Sequence, residues 1–197
     1  VKNLSLYKIK NIKIFGFNDY ENQILIEKIN ELNLENIFLL NIDEFKKILN
    51  SNALIETYKI IKQYPSTLHI NINKTEFLAK INIEDKIFLI GSNGKLIKNE
   101  SSEFELPYIF GKPEIIEFLD FKKVLDQSKF RYHQIDSLYF FQSKRWDIKL
   151  KTKVLIKLPK NNIINAINYS YEILKDKNIK NIKVIDARIA NQIILND

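Results

Sequence analysis

The chain has 197 residues, enough for one large domain or two small ones, each with its own core. Hydrophobic residues make up 45% and charged residues 28%, which is typical of a folded protein, and no apolar run approaches the ~18 residues that cross a bilayer. Of the 31 basic residues behind the net charge of +7, 3 are Arg and 28 are Lys, and this Lys bias argues against specific nucleic-acid binding because Arg reads phosphates and bases better.

The chain contains neither Cys nor Met and begins with Val1. The absence of Cys excludes disulfides and thiol chemistry. A natural chain starts with Met, so we expect a fragment or a processed form whose targeting or membrane segment lay upstream.

The first 74 residues predict a compact β-α-α-β-β unit. Lys or Asn alternates with Ile until Gly16, a strand signal, and Leu68 begins a second clean alternation. Asn41 followed by Glu44 predicts a capping box at the start of the second helix, which ends at Ser51. The predicted strands cover 8–17, 54–61 and 68–73, and the first helix covers 20–33.

From Thr75 onward the pattern predicts a mostly antiparallel β unit that also contains helices, so the fold class is α+β. Residues 106–113 predict a rigid connection, with Pro113 at the first position of a helix that runs to about Gln127. Asn161 or Asn162 is expected to cap a later helix that ends at Asn178. The predicted strands cover 77–83, 86–90, 95–98, 135–142, 146–158 as a hairpin, and a closing strand at 181–195.

Residues that could carry catalysis or bind a cofactor are sparse. His69 and His133 lie far apart in the sequence, and neither has a Cys or a second His at metal-ligand spacing. The four Gly residues form no phosphate-binding motif, and no Ser lies in an elbow motif. The sequence therefore predicts no catalytic residue, no metal site and no cofactor.

The stretch from Lys144 to Lys160 holds seven basic residues and one acid, Asp147. It is either the solvated face of a hairpin or a surface for an acidic partner or for anionic lipid headgroups. Trp146 begins the hairpin and is either a core anchor or an exposed contact for a partner.

Five motifs occur along the chain, namely LIETYKIIKQYPSTLHINI at 54–72, LIGSNGKL at 89–96, LPYIFG at 106–111, RWDIKL at 145–150 and IDAR at 185–188. In the order and spacing of these motifs the chain resembles the periplasmic part of the FtsQ/DivIB family of bacterial cell-division proteins. Departures fall at Lys74, Thr75 and Phe77 in the domain junction, and at Ile189 and Gln192 after the last motif.

The resemblance implies a POTRA (polypeptide-transport-associated) domain at 1–74, whose residues 1–7 lead out of the membrane, and an FtsQ-type β domain at 75–197. It implies a non-enzymatic division scaffold at the septum. This scaffold would be anchored in the inner membrane by a single upstream helix, with the present region in the periplasm. The implied partners are FtsB and FtsL-like proteins, with an FtsW/FtsI-type synthase and FtsK as further candidates, and no specific nucleic acid.

The closing stretch is the predicted docking edge. A last strand with no sequence behind it leaves backbone groups free for β-augmentation, and the R-W motif is implied to lie near the partner. The alternative is an ordinary sheet edge whose own charged side chains keep other strands from pairing with it. The expected partner-binding residues are Lys144, Arg145, Ile185, Arg188, Ile189, Asn191, Gln192, Ile193 and Leu195.

Two other functions stay open at this point. One is an outer-membrane assembly or secretion component whose POTRA unit binds client polypeptides by strand addition. The other is a basic protein that binds nucleic acid or phosphoinositides, which a steep salt dependence would reveal.

Overall fold

The computed structural model describes residues 8–32, 36–99, 104–189 and 192–196. The chain divides into two compact units. Unit 1 comprises Val1–Glu76 and Gly91–Lys95, and unit 2 comprises Phe77–Ile90 and Leu96–Asp197. In the described parts of the chain, no helix is both long enough and apolar enough to cross a membrane.

Unit 1 has the predicted β-α-α-β-β order. In the sheet, β3 lies in the middle, parallel to β1 and antiparallel to β2. Its elements are β1 (Asn11–Phe15), α1 (Asp19–Asn30), α2 (Ile42–Ser51), β2 (Ile55–Gln63) and β3 (Thr67–Lys74). The helices and one sheet face enclose a core of Leu25, Ile29, Phe45, Leu49, Ile55, Leu68, Ile70 and Ile72.

The capping box lies on the first helix and not on the second. Asn18 Oδ1 accepts a hydrogen bond from Glu21 N at 2.8 Å, and Glu21 Oε2 accepts one from Asn18 N at 3.0 Å. Asn41 does cap α2, but through Asp43 N at 3.1 Å. Its amide Nδ2 donates to Glu44 Oε1, so that carboxylate bonds the Asn side chain, and the predicted box is wrong.

Unit 2 is built on a nine-stranded sheet in the order β12-β11-β10-β9-β8-β7-β4-β5-β6. The strands are β4 (Phe77–Ile83), β5 (Lys86–Gly91), β6 (Leu96–Lys98), β7 (Tyr108–Phe110), β8 (Ile135–Phe140), β9 (Trp146–Leu150), β10 (Leu155–Lys157), β11 (Val184–Asp186) and β12 (Ile194–Asn196). The helices are α3 (Ile115–Asp126) and α4 (Ile163–Lys175), and a short 3₁₀ helix spans Tyr132–Gln134.

The α+β class is confirmed, and the second sheet is mixed. The predicted hairpin of β9 and β10 is antiparallel, as are the pairs β8–β9 and β11–β12. The pairs β7–β8 and β10–β11 are parallel because α3 and α4 form the crossovers between them.

Two predictions around α3 are wrong. The supposed rigid connection contains β7, which pairs in parallel with both β4 and β8 in the interior of the sheet. Pro113 lies before the N-cap, Glu114, and not at the first helical position. A strand of three residues between two Pro-containing segments is too short to show alternation.

The predicted closing strand is also wrong as a single element. Within it the structure has two short strands, β11 and β12, which pair antiparallel so that Ile185 lies opposite Leu195. Between them, Arg188 N donates to Asp186 Oδ1 and Gln192 N donates to Ile189 O, so backbone groups bond locally and the ladder is interrupted. Further upstream, α4 ends at Lys175, short of the predicted Asn178.

Trp146 is a core residue, only 4% exposed, which confirms the first of its two interpretations. Its ring stacks on Phe121 of α3 at 4.7 Å between centroids with an interplanar angle of 2°. Ile148, on the same side of β9, is fully buried. This side of the sheet therefore packs against the helices, and the side chains that alternate with it point to the other side.

Candidate functional site

The side of the unit 2 sheet opposite α3 and α4 carries a basic groove of about 560 Å³. Its lining comes from β8 to β11 and the adjoining residues, because neighbouring strands bring side chains of one face together. The residues that line this basic groove are Tyr139, Phe141, Arg145, Asp147, Lys149, Lys153, Leu155, Lys157, Lys183, Val184 and Arg188.

Both motif arginines, Arg145 and Arg188, are held by an aspartate two residues away on the same strand segment. Arg145 Nε lies 3.3 Å from Asp147 Oδ1, and its Nη2 lies 3.4 Å from Asp147 Oδ2. Arg188 Nε donates to Asp186 Oδ1 at 2.8 Å, and Nη2 bonds the second oxygen. Residues i and i+2 share a strand face, so two guanidinium nitrogens of each arginine reach the two oxygens of its aspartate.

Lys157 lies between the two aspartates across the strands. It is the register partner of Asp147 on β9 and of Asp186 on β11. The hydrogen bond from Arg188 lowers the pKa of Asp186 below its usual range, and the positive charge of Lys157 adds to that effect. The charges along this row therefore alternate between positive and negative, in the order Arg145, Asp147, Lys157, Asp186 and Arg188.

Asp147 is the one buried carboxylate of the groove, at 3% exposure. Besides bonding Arg145, it accepts a hydrogen bond from Leu158 N at 3.2 Å. A buried carboxylate is stable only when it is paired and hydrogen-bonded, and Asp147 has both kinds of partner. It therefore fixes Arg145, whose Cζ lies 4.3 Å from the centroid of the Phe141 ring.

Lys144 does not line the groove, although it precedes Arg145. Its φ of 64° turns the chain, and its ammonium group bonds Glu117 of α3 and lies 5.6 Å from the Phe140 ring centroid. The hydrogen bond from Lys144 is the largest cause that lowers the pKa of Glu117. Sequence reasoning grouped Lys144 with Arg145, but the structure separates them.

The edge of the sheet at this side is formed by β12 alone. Within the described residues, no strand pairs with the outer edge of β12. Ile194 and Leu195 are 41% and 37% exposed. Ile185, in contrast, is fully buried and lies between β10 and β12, so it offers no free edge.

The other predicted contact residues lie near a second cavity, of about 800 Å³, beside the start of α4. Ile189, Gln192 and Ile193 line it together with Arg188, and Ile193 also packs against the core. Ile189 is more than half exposed. Asn191 lies outside the described residues.

Sequence reasoning missed part of the groove. The alternation predicts that Lys149, Lys151, Lys153 and Lys157 share the outer face of the hairpin, but it does not bring Lys183 to them. Lys151 does not line the groove, and its ammonium group lies 3.3 Å from Glu105 Oε2. Leu155 N donates to Lys183 O at 2.9 Å, and this bond joins the segment before β11 to the hairpin. Nothing in the sequence signals a pairing between segments so far apart.

Across the described ranges, no group of three or more His, Cys, Asp or Glu side chains could hold a metal ion. His69 is engaged with Gln63 through Nε2 and stacks on Phe15 in unit 1.

Comparisons with known proteins agree with the motifs. The family model described as "POTRA domain, FtsQ-type" matches residues 7–74, and the one described as "Cell division protein FtsQ/DivIB, C-terminal" matches residues 79–188. Cell division protein FtsQ of Rickettsia bellii is 26% identical over 189 residues, covering 94% of this chain and 71% of its own length.

Two further similarities are shorter or weaker. DivIB of Staphylococcus aureus is 31% identical over 100 residues, which cover 49% of this chain and 22% of that protein. The major extracytoplasmic domain of DivIB from Geobacillus stearothermophilus superposes with a TM-score of 0.39 at 12% identity, over 54% of this chain and 98% of that one. A TM-score of 0.39 is too low for this superposition to establish a shared fold.

Proposed function

Because the chain belongs to the FtsQ/DivIB family of cell division proteins, we propose that it is a non-enzymatic scaffold that binds an FtsB–FtsL-type pair through unit 2. In this role it links early and late division proteins. A single upstream membrane-spanning helix anchors it in the inner membrane, and the present region lies in the periplasm at the septum. The domains are a POTRA domain at 1–74 and a β domain at 75–197.

The observation that carries the proposal is the outer edge of β12. A strand with one unpaired edge presents N–H and C=O groups that an extended segment of a partner can bond. Ile194 and Leu195 point to opposite sides of the sheet, so a partner strand would meet apolar side chains on both faces. We propose that β12 is the docking edge and that the buried Ile185, opposite Leu195 on the neighbouring strand β11, holds β12 in the sheet.

The basic groove supports the same assignment because it lies on the same part of the sheet. Lys157, Val184 and Arg188 belong to β10, β11 or the residues beside them, next to β12. A partner that adds a strand to β12 can therefore also reach the groove. In this proposal the exposed Ile189 and Gln192 extend the contact beyond the strand.

The POTRA unit is assigned the remaining partners. In this proposal residues 1–74 contact membrane-embedded division proteins, with an FtsW/FtsI-type synthase and FtsK as candidates. The match of residues 79–188 to the FtsQ/DivIB C-terminal family argues against the alternative of an outer-membrane assembly component.

Proline substitution in β12 tests the docking edge. Successive N–H groups of a strand alternate between its two edges, so one of Ile194→Pro and Leu195→Pro removes an outward donor and the other removes a donor facing β11. We expect the proline variant that loses the outward donor to bind the FtsB–FtsL-type pair at least about tenfold more weakly in calorimetry, with the fold intact.

Alanine at the same two positions is the matched control. Ile194→Ala and Leu195→Ala keep both backbone donors, so we expect their affinities to stay much closer to wild type than that of the outward proline variant. Wild-type affinity in both proline variants would rule out strand addition at β12.

A further inference from the structure

The positive charge of the basic groove is unequally available. Six cationic side chains line it, at positions 145, 149, 153, 157, 183 and 188. Three of the six already have a carboxylate partner in this chain: Arg145 with Asp147, Arg188 with Asp186, and Lys153 with Asp136 at 3.8 Å. Each such pair contributes little net charge to an approaching partner.

The other three cations are Lys149, Lys157 and Lys183, here called the lysine triad. Within the described residues, none of them makes a salt bridge. Lys149 and Lys157 are half-buried and Lys183 is exposed. Lys157 faces Asp147 and Asp186 across the strands, but both carboxylates are already bonded to the motif arginines. Ammonium groups that make no salt bridge gain more from an incoming carboxylate than groups that already make one.

The triad surrounds an apolar floor. Leu155 is the register partner of Lys149 on β9 and of Val184 on β11. The apolar side chains of Leu155 and Val184 therefore lie side by side on the open face. Lys183 is adjacent to Val184 in the chain, and Tyr139 and Phe141 line the same groove. Lysine stems can pack along such a floor while their charged ends reach a ligand.

From this geometry we infer that the lysine triad, and not the motif arginines, receives the acidic side chains of the partner. The ligand is an acidic, partly apolar protein segment whose carboxylates meet Lys149, Lys157 and Lys183 above Leu155 and Val184. This inference rests on the proposed function. It assigns Arg145 and Arg188 the role of a fixed frame, each neutralised by its own aspartate.

Calorimetric titration with the FtsB–FtsL-type pair of the same bacterium tests the inference. The triad variant is Lys149→Gln/Lys157→Gln/Lys183→Gln. A surface ion pair contributes a few-fold in affinity and a partly desolvated one contributes more, so we expect the triad variant to bind about 10- to 100-fold more weakly. The loss should shrink as the salt concentration rises.

Two controls separate local pairing from general charge. Lys112→Gln/Lys177→Gln/Lys180→Gln removes the same charge from exposed positions of unit 2 outside the groove. Asp186→Asn/Arg188→Gln removes one arginine pair as a neutral unit. We expect both controls to keep the affinity within about threefold of wild type, since neither removes an unpaired groove cation.

Wild-type affinity in the triad variant would overturn the inference, as would a larger loss in the Asp186→Asn/Arg188→Gln variant than in the triad variant. A loss of equal size in the distant-lysine control would mean that total charge, and not the triad, attracts the partner. If the wild-type chain does not bind the pair at all, the proposed function itself is contradicted and the inference falls with it.

Discussion

At the scale of single residues, the unit 2 surface is governed by which charges are already paired. Arg145 and Arg188 each make a salt bridge with an aspartate, whereas Lys149 and Lys157 make none with the residues that the structure describes. The sequence motifs drew attention to the arginines because they carry the resemblance. The structure shows that each of these arginines also makes a salt bridge with an aspartate two residues away.

Acid titration tests the pairing of Asp186 with Arg188. A lowered pKa in the folded state stabilises the fold above the usual aspartate pKa, and this stabilisation is lost as the pH falls through the lowered value. We expect Asp186→Asn to lower the free energy of unfolding by about 1 kcal/mol near neutral pH, since the pair is partly exposed. The deficit should shrink as the pH falls through the lowered pKa of Asp186.

Trp146 provides the measurement, because the only Trp of the chain is buried in unit 2 and reports its unfolding. Asp85→Asn, on an exposed turn, is the control and should leave the pH profile unchanged. A deficit of Asp186→Asn that stays constant from neutral pH down to the acid unfolding of the chain would contradict the assigned pairing.

Some of this arrangement was readable in the sequence. The spacings R-x-D at 145–147 and D-x-R at 186–188 place each pair on one strand face, so both pairings could have been predicted from alternation. The burial of Asp147 could not, because it depends on Leu158 N across the hairpin. The convergence of Lys183 with Lys149 depends equally on a long-range parallel pairing.

At the scale of elements, alternation identified long strands well and short ones poorly. The strand β4 and the hairpin of β9 and β10 were predicted correctly, since each shows a regular apolar period. The closing stretch has an Ile-rich run that suits a strand at every position, so composition could not show where β11 ends and β12 begins. Strand β7 has three residues, which is less than two periods.

The turn after β7 requires glycine, which offers an element-scale test. Gly111 has a φ of 99°, and a Cβ built there would lie 2.3 Å from Phe140 O. We expect Gly111→Ala to cost at least about 2 kcal/mol in the free energy of unfolding, measured by Trp146 fluorescence in denaturant.

The neighbouring substitution Lys112→Ala serves as the control for Gly111→Ala. Lys112 is exposed, so its loss should change stability by less than about 0.5 kcal/mol. Equal stabilities of the two variants would mean that the backbone between β7 and α3 relaxes without strain.

At the scale of the whole molecule, the topology accounts for the exposed surface. The crossovers through α3 and α4 cover one face of the unit 2 sheet and leave the other face open. The order of the strands places β12 at one edge and β6 at the other. The class α+β and the β-α-α-β-β order were predictable, whereas the strand order, which decides the edge, was not.

The central claim is that a partner adds a strand to β12. Amide hydrogen exchange, read with and without the FtsB–FtsL-type pair, tests it most directly, with β6 (Leu96–Lys98) at the opposite edge as an internal control. Strand addition predicts new protection at the outward-facing amides within Ile194–Asn196 and none at β6, because only the amides that bond the added strand become newly protected. Unchanged exchange in β12 under saturating partner, or protection confined to β6, would contradict the claim.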